Sequence, residues 1–123
     1  MELKENERVK PIKITDNSTG REYLLDFNRD TVSMAENAGF NWDDYPNKLA
    51  TFTPLIWFIS FKRHDRRISK AETDKIIEQM GGLTPEIITR LRELYMQALA
   101  PLVADEDEEG NAKNSKWTVS LDM

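Results

Sequence analysis

Two stretches place carboxylates at the alternating spacing that calcium loops use. Asp26-x-Asn28-x-Asp30 opens like one, but Thr31 stands where the sharp turn needs glycine and Asn37 where a bidentate acid should close the ring. Asp105-x-Asp107-x-Glu109-Gly110 begins better, yet its twelfth position is Lys116 and no helix pair flanks it. A helix cap and a solvated acidic stretch account for the two. The single histidine, His64, rules out a His-pair metal site and leaves a lone general base with no activated nucleophile beside it. The one Gly-Gly pair, Gly81-Gly82, closes a helix and does not open one, so no phosphate cradle is present. The sequence therefore points away from an enzyme and names no cofactor and no metal.

Charge offers a different chemistry. Lys62, Arg63, Arg66 and Arg67 fall together around His64 between two helical segments. A helix–turn–helix could present such a cluster to phosphates, which makes a small DNA-binding regulator the alternative reading. Against it, the helix that would read bases carries Glu86 and Glu93 and lacks a face rich in Arg, Asn or Gln. In an acidic chain, a basic patch of this kind suits an acidic patch on a protein partner or on a second copy.

These residues must be held by helices whose ends are legible. Ser69-Lys70-Ala71-Glu72 is a capping-box pattern, in which the Ser hydroxyl accepts from a backbone N–H three residues on and the Glu reaches back. Gly81 ends that helix, and Thr84-Pro85-Glu86 starts the next with a cap, a proline at the first position and an acid against the helix dipole. The two run over about 70–80 and 85–103. Ile87, Ile88, Leu91, Leu94, Tyr95, Ala98, Leu99 and Leu102 then form an apolar stripe, with Tyr95 and Met96 at its margin as candidate interface residues. The stretch from Asn47 to His64 reads as a central helix, apolar nearly all round at Leu55–Phe61. Pro54 within it sits either just after a Thr53 cap or as an interruption of a longer helix.

Upstream, Ile12 and Ile14, then Tyr23, Leu25 and Phe27, alternate with polar residues around the turn-forming Asp16–Gly20, which predicts a β-hairpin. A hairpin alone is marginal in water and must lie on helices. Asn28 or Asp30 caps a short helix carrying Val32, Ala35 and Ala38 and closed by Gly39; Phe40 and Trp42 follow in a loop pinned by their rings. The expected fold is α+β and mainly α, with an N-terminal hairpin packed on about four helices in residues 1–104. Residues 105–123 read as an acidic linker and a strand-like tail, because Trp117, Val119 and Leu121 alternate with polar neighbours. That tail could pair with the hairpin of its own chain or add to a neighbouring molecule.

The whole chain has 123 residues, a net charge of −5 and no cysteine. It is sized for one domain, lacks a general nucleic-acid footprint and holds no disulfide or thiolate site. No apolar run is long enough to span a bilayer, and the charged N-terminus has no secretory core, so Asn17-Ser18-Thr19 is read as a chance glycosylation match.

Several strings together resemble a known family. Pro11-Ile12-Lys13-Ile14, Tyr23, Phe27-Asn28-Arg29-Asp30, Ala35-Glu36, Gly39-Phe40, Phe61-Lys62-Arg63-His64, Arg67–Ile76, Gly81-Gly82-Leu83 and Lys116-Trp117-Thr118-Val119 are similar to the tail assembly chaperones of long-tailed, non-contractile phages and prophages of Gram-positive bacteria. The likeness runs from about Lys10 to Val119. It implies a non-catalytic protein that coats and solubilises the tape measure protein, recruits tail tube subunits, and self-associates. It also implies action in the bacterial cytoplasm during virion assembly and absence from the finished virion. On this reading Lys62, Arg63, Arg66, Arg67, Tyr95, Met96, Trp117, Val119 and Leu121 are the candidate partner and self-association residues.

Overall fold

The computed structural model describes residues 8–102, 116–118 and 120. The fold is α+β and mainly helical. Strands β1 (Ile12–Thr15) and β2 (Glu22–Leu25) form an antiparallel hairpin, followed by helices α1 (Arg29–Asn37), α2 (Leu49–Phe61), α3 (Lys70–Met80) and α4 (Pro85–Leu99). Short 3-10 turns lie at Tyr45–Asn47 before α2 and at Ala100–Leu102 after α4.

Local chemistry explains most of these boundaries. Asp16 accepts hydrogen bonds from the Ser18 backbone N–H (2.9 Å) and hydroxyl (2.6 Å), and Gly20 takes φ +77°, so the hairpin turns where the sequence says. These bonds to the ionised form hold the Asp16 carboxyl below its ordinary range, the Ser18 hydroxyl contributing most. Asn28 caps α1: its side-chain oxygen accepts from Thr31 N–H, while the Thr31 hydroxyl takes the Asn28 N–H, both at 2.9 Å. Ser69 caps α3 by accepting from Glu72 N–H at 3.1 Å. The reciprocal half differs from the sequence expectation, because the Glu72 carboxylate accepts from the Ser69 hydroxyl rather than from its backbone N–H. Gly81, at φ +78°, is the left-handed stop of α3. Pro54 lies inside α2, so the helix begins several residues before it and Thr53 is not its cap.

Helix α2 is the axis of the core. Phe52, Ile56, Trp57, Ile59, Ser60 and Phe61 are buried on it, and it touches α1, α3 and β2. Trp57 is fully buried, and its indole N–H donates to Thr73 O at 3.0 Å, which ties α3 to α2. The inner face of the hairpin contributes Ile12, Ile14, Tyr23 and Leu25, with Tyr23 edge-on to Phe61 at 5.5 Å between centroids. Phe40, Trp42, Tyr45, Phe52 and Tyr95 form an aromatic cluster where the loop after α1 meets α4. Leu91 and Leu94 complete the buried stripe of α4, but Leu102, expected at its end, is 53% exposed because the helix has already tightened into a 3-10 turn.

Among residues 116–118 and 120 there is no strand, and the Trp117 side chain is 83% exposed. Val119, Leu121 and the acidic stretch Asp105–Glu109 lie outside the described residues.

Candidate interaction surface

The four cations that the sequence groups together separate in the structure. Arg63 leaves the surface cluster: its guanidinium donates to the Asp26 carboxylate at 2.6 Å and to Phe27 O at 3.2 Å. Asp26 is buried, and its other oxygen accepts from the Phe27 N–H, so Arg63 neutralises a charge that would otherwise be stranded in the core. Lys62 turns back over the loop it begins, donating to Arg66 O (2.9 Å) and Ile68 O (3.1 Å) and lying 4.7 Å above the Phe58 ring. Arg66 and Arg67 remain exposed. The candidate contact therefore narrows to these two arginines with neighbouring His64, while Lys62 and Arg63 hold the loop against the body.

Tyr95 requires a correction as an interface residue. Only 5% of it is exposed, because its ring packs edge-on against Phe27 and Trp42 inside the aromatic cluster. Burial raises its phenol above the usual value of 10.0, and the Glu36 carboxylate adds to the rise. Met96, one position on, is 53% exposed and remains accessible.

The surface beside the loop is an open strand edge, which the sequence reading had not located. Asp16 N–H donates to Arg21 O at 2.8 Å, so the pairs Ile14/Tyr23 and Ile12/Leu25 carry the ladder bonds. Lys13, Thr15, Glu22 and Leu24 must then direct their N–H and C=O groups away from the hairpin. On the β1 side this edge is blunted. Pro11 has no N–H to offer, and the Gln97 side-chain amide pairs with both Val9 N–H (2.7 Å) and Val9 O (3.1 Å) like a strand partner. On the β2 side Asp26 N–H is taken by Ser60 O at 3.0 Å, and among the described residues no backbone partner covers the edge at Glu22 and Leu24.

A groove of about 520 Å³ runs along that open edge, between Tyr23 and Leu24 on one wall and Phe61, His64 and Asp65 on the other. Arg21 crosses to Asp65 at 3.3 Å at one end, in a pair whose arginine is largely exposed. Leu24 is 42% exposed on the rim. A second groove, about 460 Å³, lies between Ile14 and Tyr23 of the hairpin and Ile76, Gln79 and Met80 of α3. The Asp26–Asn28–Asp30 triplet makes no ion cage: Asp26 holds Arg63, and Asn28 caps α1. Among the described residues no three His, Asp or Glu side chains converge to hold a metal, and no helix is long and apolar enough to cross a membrane. On α4, the helix that the DNA alternative would use to read bases, Arg90 donates to Lys10 O at 3.4 Å and Arg92 lies 5.9 Å from the Trp42 ring centroid.

No curated protein and no solved structure matches the chain. A family model does, over residues 6–121, which is nearly the entire length. The chain belongs to the family described as a domain of unknown function, DUF5055.

Proposed function

We infer that this protein is a non-catalytic assembly chaperone of phage tails. It binds and solubilises the long helical tape measure protein, helps to recruit tail tube subunits, and self-associates. It works in the bacterial cytoplasm and is absent from the mature virion. The reading rests on the resemblance of its sequence strings to those chaperones, and one structural observation supports it above others. Every methionine among the described residues is on the surface: Met34 on α1 (42% exposed), Met80 on α3 (40%) and Met96 on α4 (53%). Methionine is ordinarily a buried, gap-filling side chain, and its exposure is a mark of surfaces that adapt to varied apolar partners. Leu24, Leu49 and Leu102 extend the same exposed set. A tape measure helix offers many similar apolar turns, and many weak contacts along it sum to tight binding.

The test is co-expression with the long helical reading frame of a phage tail gene cluster, followed by fractionation. The long protein should be soluble only when this chain is present and should co-purify with it. A long protein that aggregates regardless would overturn the reading. Replacing Met34, Met80 and Met96 together by Ser should lower recovery of the long protein several-fold while the fold, followed by circular dichroism, is kept.

A further inference from the structure

We propose that the groove between the hairpin and α3 docks one turn of an amphipathic helix, with apolar residues inward and a Lys or Arg against Asp16. The inference deepens the chaperone reading and rests on it for the source of that helix, the tape measure protein. The floor of the groove is Ile14 and Tyr23, a cross-strand pair on the inner face of the hairpin. Its far wall is Ile76 and Met80, one turn apart on α3. Tyr23 is held edge-on by Phe61 at 5.5 Å between centroids, whereas Met80 is unbranched and 40% exposed, so a firm floor faces an adaptable wall. At about 460 Å³ the groove has the size of a binding pocket.

Shape and charge select the occupant. Ile76 and Met80 form an i, i+4 ridge, against which the same ridge of a second helix packs. The hairpin turns a side-chain face toward the groove, not a strand edge, so an extended peptide finds no backbone to pair with there. Among the described lining residues Asp16 alone is charged, and it makes no ion pair among the described residues. The cations of the hairpin are engaged elsewhere, Lys13 by Glu22 at 2.6 Å and Arg21 by Asp65 at 3.3 Å. Asp16 therefore offers an uncompensated negative charge, which favours a helix with Lys or Arg beside its apolar stripe. The same charge disfavours the chain's own C-terminal segment, whose run Asp105–Glu109 is acidic, and a second copy, which carries a net charge of −5.

The experiment titrates the full chain, labelled at its Ile and Met methyl groups, with a designed peptide helix that carries Leu at i, i+3, i+4 and i+7 and Lys elsewhere. No tape measure protein is present, so the outcome is independent of the co-expression test. The methyl resonances of Ile14, Ile76 and Met80 should shift on binding, while those of Met34 and Met96, on α1 and α4, should move far less. Met80→Ser should weaken binding about fivefold or more through lost apolar contact. Asp16→Asn keeps a side-chain oxygen to order the turn and should weaken binding about two- to fivefold, with a smaller salt dependence. A peptide with Glu in place of Lys should bind more weakly than the Lys peptide. Equal binding of the two peptides, binding that neither variant weakens, or groove methyls that never move overturns the proposal. A long protein kept soluble by this chain while those methyls stay unmoved overturns the groove alone and leaves the chaperone reading standing. Shifts at Ile14 and Ile76 that track protein concentration without peptide would assign the groove to a second copy, and cross-relaxation from Met80 to residues 103–123 at every dilution to the chain's own tail. Either result also overturns the proposal.

Discussion

At the scale of single residues, the basic cluster shows how one charge type divides between support and contact. Arg63 and Asp26 form a pair that is largely shielded on the carboxylate side, so removing the arginine strands a buried charge. Arg63→Ala should lower stability by about 1–3 kcal/mol in urea titration, because the Asp26 carboxylate loses its charged partner. Arg66→Ala should stay within about 0.5 kcal/mol of wild type, as exposed substitutions generally do. A cluster of four cations was legible in the sequence, but its division was not. Spacing along a chain does not say which arginine meets a carboxylate thirty-seven residues upstream. Reversing all four charges would thus mix a folding effect with a binding one, and Arg66→Glu with Arg67→Glu is the cleaner variant.

Tyr95 makes a second residue-scale case. Its raised phenol ionises less readily in the folded chain than in the unfolded one, so the folded state binds the proton more tightly. The resulting contribution is fully present below the unfolded value near 10 and is lost as pH rises through the higher folded value. Stability of the wild type should therefore fall more steeply above about pH 10 than that of Tyr95→Phe, as read by thermal melts in alkaline buffers. Equal slopes would show that Tyr95 ionises as freely folded as unfolded. The sequence put Tyr95 at the margin of an apolar stripe, since helical periodicity alone cannot tell a core edge from an interface edge. The aromatic loop Phe40–Tyr45, which covers it, made the difference.

At the scale of elements, the hairpin, α1, α3 and α4 were readable because their ends carry side chains with one physical purpose, whereas α2, which starts after Lys48 without a side-chain cap, was readable only from its apolar run. Asn28, Ser69 and Thr84 each cap a helix, and Gly81 ends one. The docking of one element on another was less readable. Trp57 holds α3 through a single indole bond to Thr73 O, inside a fully buried side chain. Trp57→Ala should cost about 3–5 kcal/mol, the range for a large aromatic lost from a packed core. Trp57→Phe should cost less and should raise hydrogen exchange first in α3, where the lost bond was anchored. Protection lost uniformly across all helices would contradict that role. The open edge of β2 was also invisible in the sequence. Which face of a hairpin pairs outward depends on register, and register was set by the Asp16–Gly20 turn and confirmed by Ile12 opposite Leu25.

At the scale of the whole molecule, the chain is a small helical body with a hairpin on one side and a surface carrying exposed methionines, an open strand edge and the exposed Arg66 and Arg67. None of these is a reactive constellation, and on the proposed reading they are the surfaces that would hold other chains. Coating a long helix requires that many copies bind along it, each through modest contacts. The direct test is the stoichiometry of the purified complex with the tape measure protein, by light scattering coupled to sizing, across a series of tape measure truncations. The account predicts that the number of copies bound falls in proportion to tape measure length. A fixed one or two copies, whatever the length, would contradict coating and leave this protein as a capping partner at one site.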